Sequence, residues 1–356
     1  MKKVNWKIKN YEKEDEENII PIFNSIFNVD RSMNHWLWKF ESNPYLKPTA
    51  SLAIIGDKNI IGQYTSIPLA LNSKGERRKI CQSVDTFVNP DFRMQGVIKE
   101  ITEHYFQQCE GNGFEMVFGF PNKELYPMQI RRLNWKHIFT LERFLKRLSI
   151  YSPIKRKLKL RILASILNIT YKIILQAILY VRILSLSKKF EGKITFNVEN
   201  KTPKEYNQLW QIAKDKEVLS VWKDAEYFKW RYDSNPDNKF KYFYITKDRN
   251  EIEVLFVVNL CDNKAKICDI IMKNRNIYIA HFLLYHLEKW LMDNNFEYLE
   301  FAGKNNNLYS MIFNDFKNIK NKKLIFCIRT FKNSTLKELP FSPNNWNITM
   351  GDIDNI

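Results

Sequence analysis

The chain reads as a mixed α/β protein made of one duplicated unit, and three observations predict this. The first is an internal repeat: Trp38-Lys39-Phe40-Glu41-Ser42-Asn43-Pro44 returns as Trp230-Arg231-Tyr232-Asp233-Ser234-Asn235-Pro236, with four identities and three conservative changes. A weaker echo keeps the same order, with Phe114-Glu115 and Leu125-Tyr126 answered by Phe296-Glu297 and Leu308-Tyr309. The second is the pattern within each half, strands followed by a helix and a further strand, which builds a mixed sheet flanked by helices. The third is a basic, amphipathic helical stretch between the halves. The predicted division is 1–150, a linker at 151–190, and 191–356.

Each element has a local reason. The Trp-containing helix stops at Asn43-Pro44, because proline lacks an amide hydrogen and disfavours helix in the residue before it. Runs at 50–55 and 59–71 read as strands about the turn Gly56-Asp57, and Ser73-Lys74-Gly75-Glu76 leads into a third strand at 79–88. A helix is expected over 95–109, closed by Gly111-Asn112-Gly113, and then an apolar strand at 114–120.

With 45% apolar and 14% aromatic residues the composition is that of a globular protein. The five cysteines (Cys81, Cys109, Cys261, Cys268, Cys327) lack CxxC spacing, and His281 and His286 are five apart on a helix, so neither a disulfide framework nor a metal site is expected. No secretory signal and no uninterrupted apolar run of spanning length is read, which makes the cytoplasm the expected compartment.

The net charge is +17, and nine basic residues with no acid fall between 155 and 189: Lys155, Arg156, Lys157, Lys159, Arg161, Lys172, Arg182, Lys188 and Lys189. Nothing resembles a nucleic-acid-reading motif, so no nucleic-acid partner is expected. Residues 158–186 read as one long helix, with Arg161, Ser165, Asn168, Lys172 and Gln176 on a narrow stripe and a wide apolar face elsewhere. Two kinds of occupant fit that face. It docks on protein, either this chain or a second copy in a homodimer, or 155–186 meets an anionic membrane surface, placing the protein on the inner face of the membrane.

The stretch richest in chemistry is Val84-Asp85-Thr86-Phe87-Val88-Asn89-Pro90-Asp91-Phe92-Arg93-Met94-Gln95-Gly96-Val97-Ile98. A strand ends in a Pro-Asp turn, and a loop opens a helix with glycine at its start. Unpaired amides and the dipole at a helix N-terminus attract anions, and glycine lets the backbone approach a phosphate. The same pattern also fits a plain strand–turn–helix junction.

This stretch resembles the acetyl-CoA motif of the GNAT superfamily of N-acetyltransferases, Arg/Gln-x-x-Gly-x-Gly/Ala after a strand ending in Val-x-Pro. Arg93, Gly96 and Val88-Asn89-Pro90 match, with Ile98 at the last position. Phe120-Pro121-Asn122, a helix, and Leu133-Asn134-Trp135 resemble the family's second cofactor motif, with Asn134 in place of glycine. The repeated tryptophan block resembles bacterial proteins with two such domains in tandem.

The resemblance implies two tandem GNAT-like domains with splayed sheets, and acetyl-CoA as acyl donor with no metal. Phe87 and Val88 would offer backbone hydrogen bonds to pantetheine, the loop Arg93, Met94, Gln95, Gly96, Val97 and Ile98 would hold pyrophosphate, and Asn122 would bond the cofactor or cap a helix. Asp85 stands where family members place an acid, as base or as a group that orients the amine. Tyr126 is the tyrosine nearest the family's proton donor, whose usual position holds Gln129 or Ile130. The second half has no glycine in Met272-Lys273-Asn274-Arg275-Asn276-Ile277, so one site per chain is expected. The acid-bearing end, with Asp352 and Asp354, either brings carboxylates to a bound amine or forms a solvated tail.

The acceptor implied is a primary amine on a small molecule, such as an amino sugar or a surface-polysaccharide precursor. Two other readings remain open at this level: an aminoacyl-tRNA-dependent bridge-forming transferase, and a non-catalytic membrane or scaffold protein with a degenerate fold.

Overall fold

The computed structural model describes residues 5–45, 50–57, 59–158, 160–248, 251–304, 307–319 and 324–354, so Lys159 of the basic stretch lies outside the described residues. The first half runs β1 (Lys7–Asn10), α1 (Glu16–Phe27), α2 (Met33–Trp36) continued by a π-helical turn at Leu37–Glu41, β2 (Ala50–Ile55), β3 (Asn59–Ser73), β4 (Glu76–Val88), α3 (Val97–Gly111), β5 (Met116–Gly119), α4 (Tyr126–Arg132) and β6 (Lys136–Arg147). The linker forms α5 (Tyr151–Leu158) and α6 (Arg161–Ser187), two helices where one was expected, because Leu160 takes an extended backbone. The second half comprises β7 (Ile194–Glu199), α7 (Tyr206–Ala213), β8 (Leu219–Val221), α8 (Ala225–Phe228) with its own π-helical turn at Lys229–Asp233, β9 (Phe240–Lys247), β10 (Glu251–Cys261), β11 (Lys264–Met272), α9 (Ile277–Asp293), β12 (Tyr298–Lys304), α10 (Leu308–Ile312), β13 (Lys317–Asn318), β14 (Leu324–Thr330) and β15 (Trp346–Thr349).

The two copies of the repeat adopt the same conformation and meet. Each ends in a π-helical turn, and Trp38 and Trp230 stack with ring centroids 5.8 Å apart. Trp38 Nε1 donates to Trp230 O and Trp230 Nε1 donates to Trp38 O, both at 2.7 Å. This reciprocal pairing marks a local two-fold relation inside one chain. Both indoles are buried, so each N–H needs a partner and the other copy supplies it.

The sheet shares strands across the predicted division at 150 and 191. In the first half β1, β2, β3 and β4 are successive antiparallel neighbours and β5 lies parallel to β4. In the second, β7, β9, β10 and β11 do the same with β12 parallel to β11. Beside β5 comes β14, from the far end of the chain, and then the first part of β6. Beside β12 comes the last part of β6, Glu142–Arg147, and then β13. Each half therefore completes its sheet with a strand from the other.

The expected strand at 59–71 extends to Ser73 and contains Pro68, which pairs only with Cys81 on β4 because β2 has ended its ladder at Thr65. A proline is tolerated there, where no neighbour needs its missing amide hydrogen. The helix expected from residue 95 begins at Val97, since Met94 and Gly96 hold φ of +64° and +97° and cannot sit inside a right-handed helix.

Candidate active site

The site grows from a split between two parallel strands. β4 pairs with β5 only from Ile80 to Gln82, and beyond Gln82 the strands diverge. Residues Ser83 to Val88 therefore present one backbone edge to a gap instead of to a neighbour. Opposite, the register with β3 shifts between Gln63 and Thr65, and Asp85 sits in the resulting bulge with φ of +50°. The bulge breaks the simple alternation expected for this strand.

Asp85 is almost completely buried and held by two cations, Lys39 Nζ at 2.8 Å and an Arg31 guanidinium nitrogen at 2.6 Å. Burial by itself pushes its carboxyl pKa up, but Lys39 and Arg31 together outweigh burial and hold it at about 2. Asp85 is thus a fixed anion, which suits it to orienting charge and not to taking up a proton at neutral pH. Lys39 also reaches Asp354 at 3.2 Å. The acid-bearing end is not a solvated tail: Asp354 lies in the cleft beside Asp85, with 16% of its side chain exposed, and Asp352 is buried against Lys223.

A cleft of about 380 Å³ is lined by Phe23, Phe27, Arg31, Asp85, Asn122, Gln129 and Asp354, among others. A second polar cavity of about 410 Å³ shares Val29, Arg31 and Asp354 with it and adds His35, Asn235, Asp237 and Lys266. Its walls come from both halves, and a hydrogen bond between His35 Nδ1 and the Asp237 carboxylate joins them.

On the other side of the motif, a more apolar cavity of about 480 Å³ opens at the start of α3. Val88, Phe92, Met94, Val97, Ile98 and Met128 supply its apolar wall, and Arg93, Lys99, Arg131 and Arg132 against the single acid Glu124 leave its rim positive. No side chain caps α3, and a Cβ built on Gly96 meets nothing within 4 Å, so the helix start faces open space. Cationic side chains around an uncapped helix N-terminus form an anion site. Sequence reasoning missed Lys99, Arg131 and Arg132. Their signal was present as basic residues on the two helices that follow the split strands.

The remaining predicted residues divide. Phe87 buries its ring in the core against Phe23, leaving its backbone for the gap, and Val88 lines the apolar cavity. Arg93 Nε donates to Val88 O at 3.2 Å and Gln95 Nε2 to Asp91 O at 3.3 Å, which shapes the loop. Asn122 Oδ1 accepts from the Leu125 amide at 2.8 Å, so the residue stabilises the turn before α4 while also lining the cleft. Tyr126 is not brought to the gap: its hydroxyl meets His137 Nδ1 at 3.1 Å, because the first turn of α4 carries it toward β6. Gln129, one helical turn on, lines the cleft instead and is 2% exposed, with an Oε1 that has no hydrogen-bond partner among the described residues. A buried carbonyl oxygen without a donor is costly and is satisfied by a ligand N–H or water.

Among the described residues, the second half has the same split with only a cavity of about 30 Å³ beside it. β11 and β12 pair from Lys264 to Ile267, and where they part β15 pairs with β12 at Gly303 and Lys304. The turn after β15 fills the rest. Asp269 on β11 bonds Lys223 at 2.5 Å, as well as the hydroxyls of Thr349 and Tyr232. Gly351 lies so close that an added Cβ would be 2.8 Å from Asp269 Oδ2. The start of α9 is capped by Asn276, whose side chain accepts from the Tyr278 amide.

Comparison with known proteins agrees with this geometry. Residues 7–138 match a model of the acetyltransferase (GNAT) domain. No curated protein matches the chain. Among solved structures, a protein of unknown function from Enterococcus faecalis, described as a probable N-acyltransferase, is similar with a TM-score of 0.64 at 11% identity, covering 94% of this chain and 75% of that one. A GCN5-related N-acetyltransferase from Anabaena variabilis gives 0.61 at 8% identity over 95% and 75%. N-myristoyltransferase of Saccharomyces cerevisiae, solved with myristoyl-CoA, gives 0.55 at 9% identity over 91% and 82%. At such identities these structures speak for the fold, which extends over nearly the whole chain, and the family implies an acyl-CoA donor and an acceptor substrate. The family match thus covers residues 7–138, which are similar to the GNAT acetyltransferase domain, and beyond them the likeness is one of fold.

Proposed function

We infer that the protein transfers an acetyl or other short acyl group from CoA to a primary amine on a small polar molecule, and that it does so once per chain. The observation that carries this reading is the positively rimmed cavity at the open start of α3, which meets the same strand, β4, as the carboxylate-lined cleft. Arg93, Lys99, Arg131 and Arg132 suit the phosphates of CoA, the α3 amides suit its pyrophosphate, and the unpaired edge of β4 at Phe87 and Val88 suits pantetheine. When bound, the thioester supplies an activated acyl carbon.

A backbone amide on that edge, aimed at the thioester oxygen, would stabilise the oxyanion of acyl transfer. Asp354 faces both acceptor-side cavities and is assigned the proton of the incoming ammonium, while Asp85 holds Lys39 and Arg31 in place. The C–S bond breaks as the C–N bond is completed, and the thiolate, with no tyrosine beside it, takes the second proton of the attacking nitrogen through water, so that CoA leaves as the thiol. Aspartate, asparagine and histidine around the shared cavity match a hydroxylated amine, so an amino sugar or a surface-polysaccharide precursor is the acceptor class proposed.

Acetyl-CoA titrated into the wild type and Gly96→Glu by calorimetry tests the donor half. The wild type should bind, and the variant should lose at least about 100-fold, because a carboxylate then projects where phosphate belongs. No binding by the wild type defeats the reading, and equal binding by both moves the site elsewhere.

A further inference from the structure

The linker helix docks by its polar stripe, the reverse of the orientation in which an amphipathic helix covers a protein. Asn168 Oδ1 accepts from Ser149 Oγ at 2.9 Å and from the Ile150 amide at 2.8 Å. Lys172 donates to Met292 O and Asn295 Oδ1 at the C-terminal end of α9, where the helix dipole favours a cation. Gln176 donates to Asp293, Arg182 pairs with Asp315 at 2.6 Å, and Leu179 and Leu186 are buried between these contacts. Every polar residue that holds α6 is thus occupied by the chain itself.

The opposite arc, about 180° wide at 100° per residue, holds no charged residue from Arg161 to Ser187. Ile162 is 79% exposed, Tyr180 and Val181 64%, and Ile166, Ile169 and Ile173 are open in the same way. An exposed apolar face of this length far exceeds the scattered apolar residues of an ordinary surface. By length and composition α6 is, among the described residues, the one helix that could cross a membrane.

We propose that the outward face of α6 lies flat in the interface of an anionic lipid bilayer and holds the protein on that surface. Charge selects this occupant. Exposed Lys155, Arg156, Lys157 and Arg161 stand at one end of the helix and exposed Lys188 and Lys189 at the other, with no acid between 155 and 190. A second copy packed by a two-fold, parallel or antiparallel, would set these positive ends against each other. One helix–helix seam would also cover only about 100° of the face. Anionic headgroups neutralise both ends while the acyl chains cover the isoleucines. Spanning is disfavoured because Asn168, Lys172, Gln176 and Arg182 would have to abandon their partners for hydrocarbon.

The test is co-sedimentation of the full-length protein with phosphatidylcholine vesicles, with and without phosphatidylserine. Binding should need phosphatidylserine, weaken with salt, and fall roughly fivefold for each of Lys155→Ala, Arg156→Ala and Lys188→Ala. The triple variant Ile162→Glu, Ile166→Glu, Ile173→Glu should not bind vesicles yet should keep acyl-CoA binding and, within a few degrees, the melting temperature of the wild type, because those side chains are mostly exposed. The proposal is overturned if the wild type ignores anionic vesicles, if the glutamates leave vesicle binding unchanged, or if the wild type is a lipid-independent dimer that the glutamates make monomeric. Binding that resists both salt and alkaline carbonate extraction would also overturn it, since that marks a spanning helix.

Discussion

The two halves share a fold and a split pair of parallel strands, and they differ in what occupies the split. In the first, β4 leaves β5 at Gln82 and the gap stays open, with an uncapped helix beyond it. In the second, β15 and the turn at Met350–Asp352 fill the gap, and Asn276 caps the helix. Asp85 and Asp269 show the same divergence. One is a buried anion on the wall of a cleft, and the other is consumed by Lys223, Thr349 and Tyr232. What fills the gap therefore decides whether it stays open, while the parallel pair that creates it is the same in both halves.

The largest expected break in this comparison comes from Lys39→Ala. Removing one cation from the buried Asp85 should cost roughly 3 kcal/mol, the low end for an interrupted buried pair because Arg31 remains. Chemical denaturation measures it. The same pair has a pH signature. The folded pKa of Asp85, about 2, lies below its ordinary 3.8, so its contribution is complete above about pH 4 and is lost as pH falls toward 2. Lys39→Ala should flatten that acid limb.

Gly351→Ala addresses the plug in the second half. A methyl group there meets Asp269 and Tyr232, so stability should fall by roughly 1–3 kcal/mol while acyl-CoA affinity in the first half stays unchanged. A matching fall in affinity would mean that the halves are coupled through the shared cleft. The smallest effect belongs to Asn276→Ala, which removes the cap of α9. About 1 kcal/mol of stability should go, read as a lower melting temperature, with no second acyl-CoA site appearing in calorimetry.

Much of this was legible because it is local. The duplication could be read from seven residues around Trp38 and Trp230, and the donor motif from the glycine that a φ of +97° requires at the start of α3. Tyr126, the tyrosine nearest the usual donor position, bonds His137, while the position that the motif spacing gave to Gln129 or Ile130 faces the cleft through the first of them. The direction of α6 was not legible. Periodicity separates a polar from an apolar face but does not say which one finds partners, and the carbonyls and acids around the end of α9 claimed the polar one.

By itself the sequence determined the repeat, the strand–loop–helix with its open N-terminus, and the basic apolar helix between the halves, since each depends on neighbouring residues and their intrinsic preferences. Only the tertiary structure decided that β14 completes the first sheet, that Asp354 reaches a cleft begun by Lys39 and Asp85, and that β15 closes the second split. Those contacts join residues from tens of positions apart, as Gly303 and Thr349, to 315, as Lys39 and Asp354. They are set by which strand edge is left unpaired and which buried charge still needs a partner once the rest has packed.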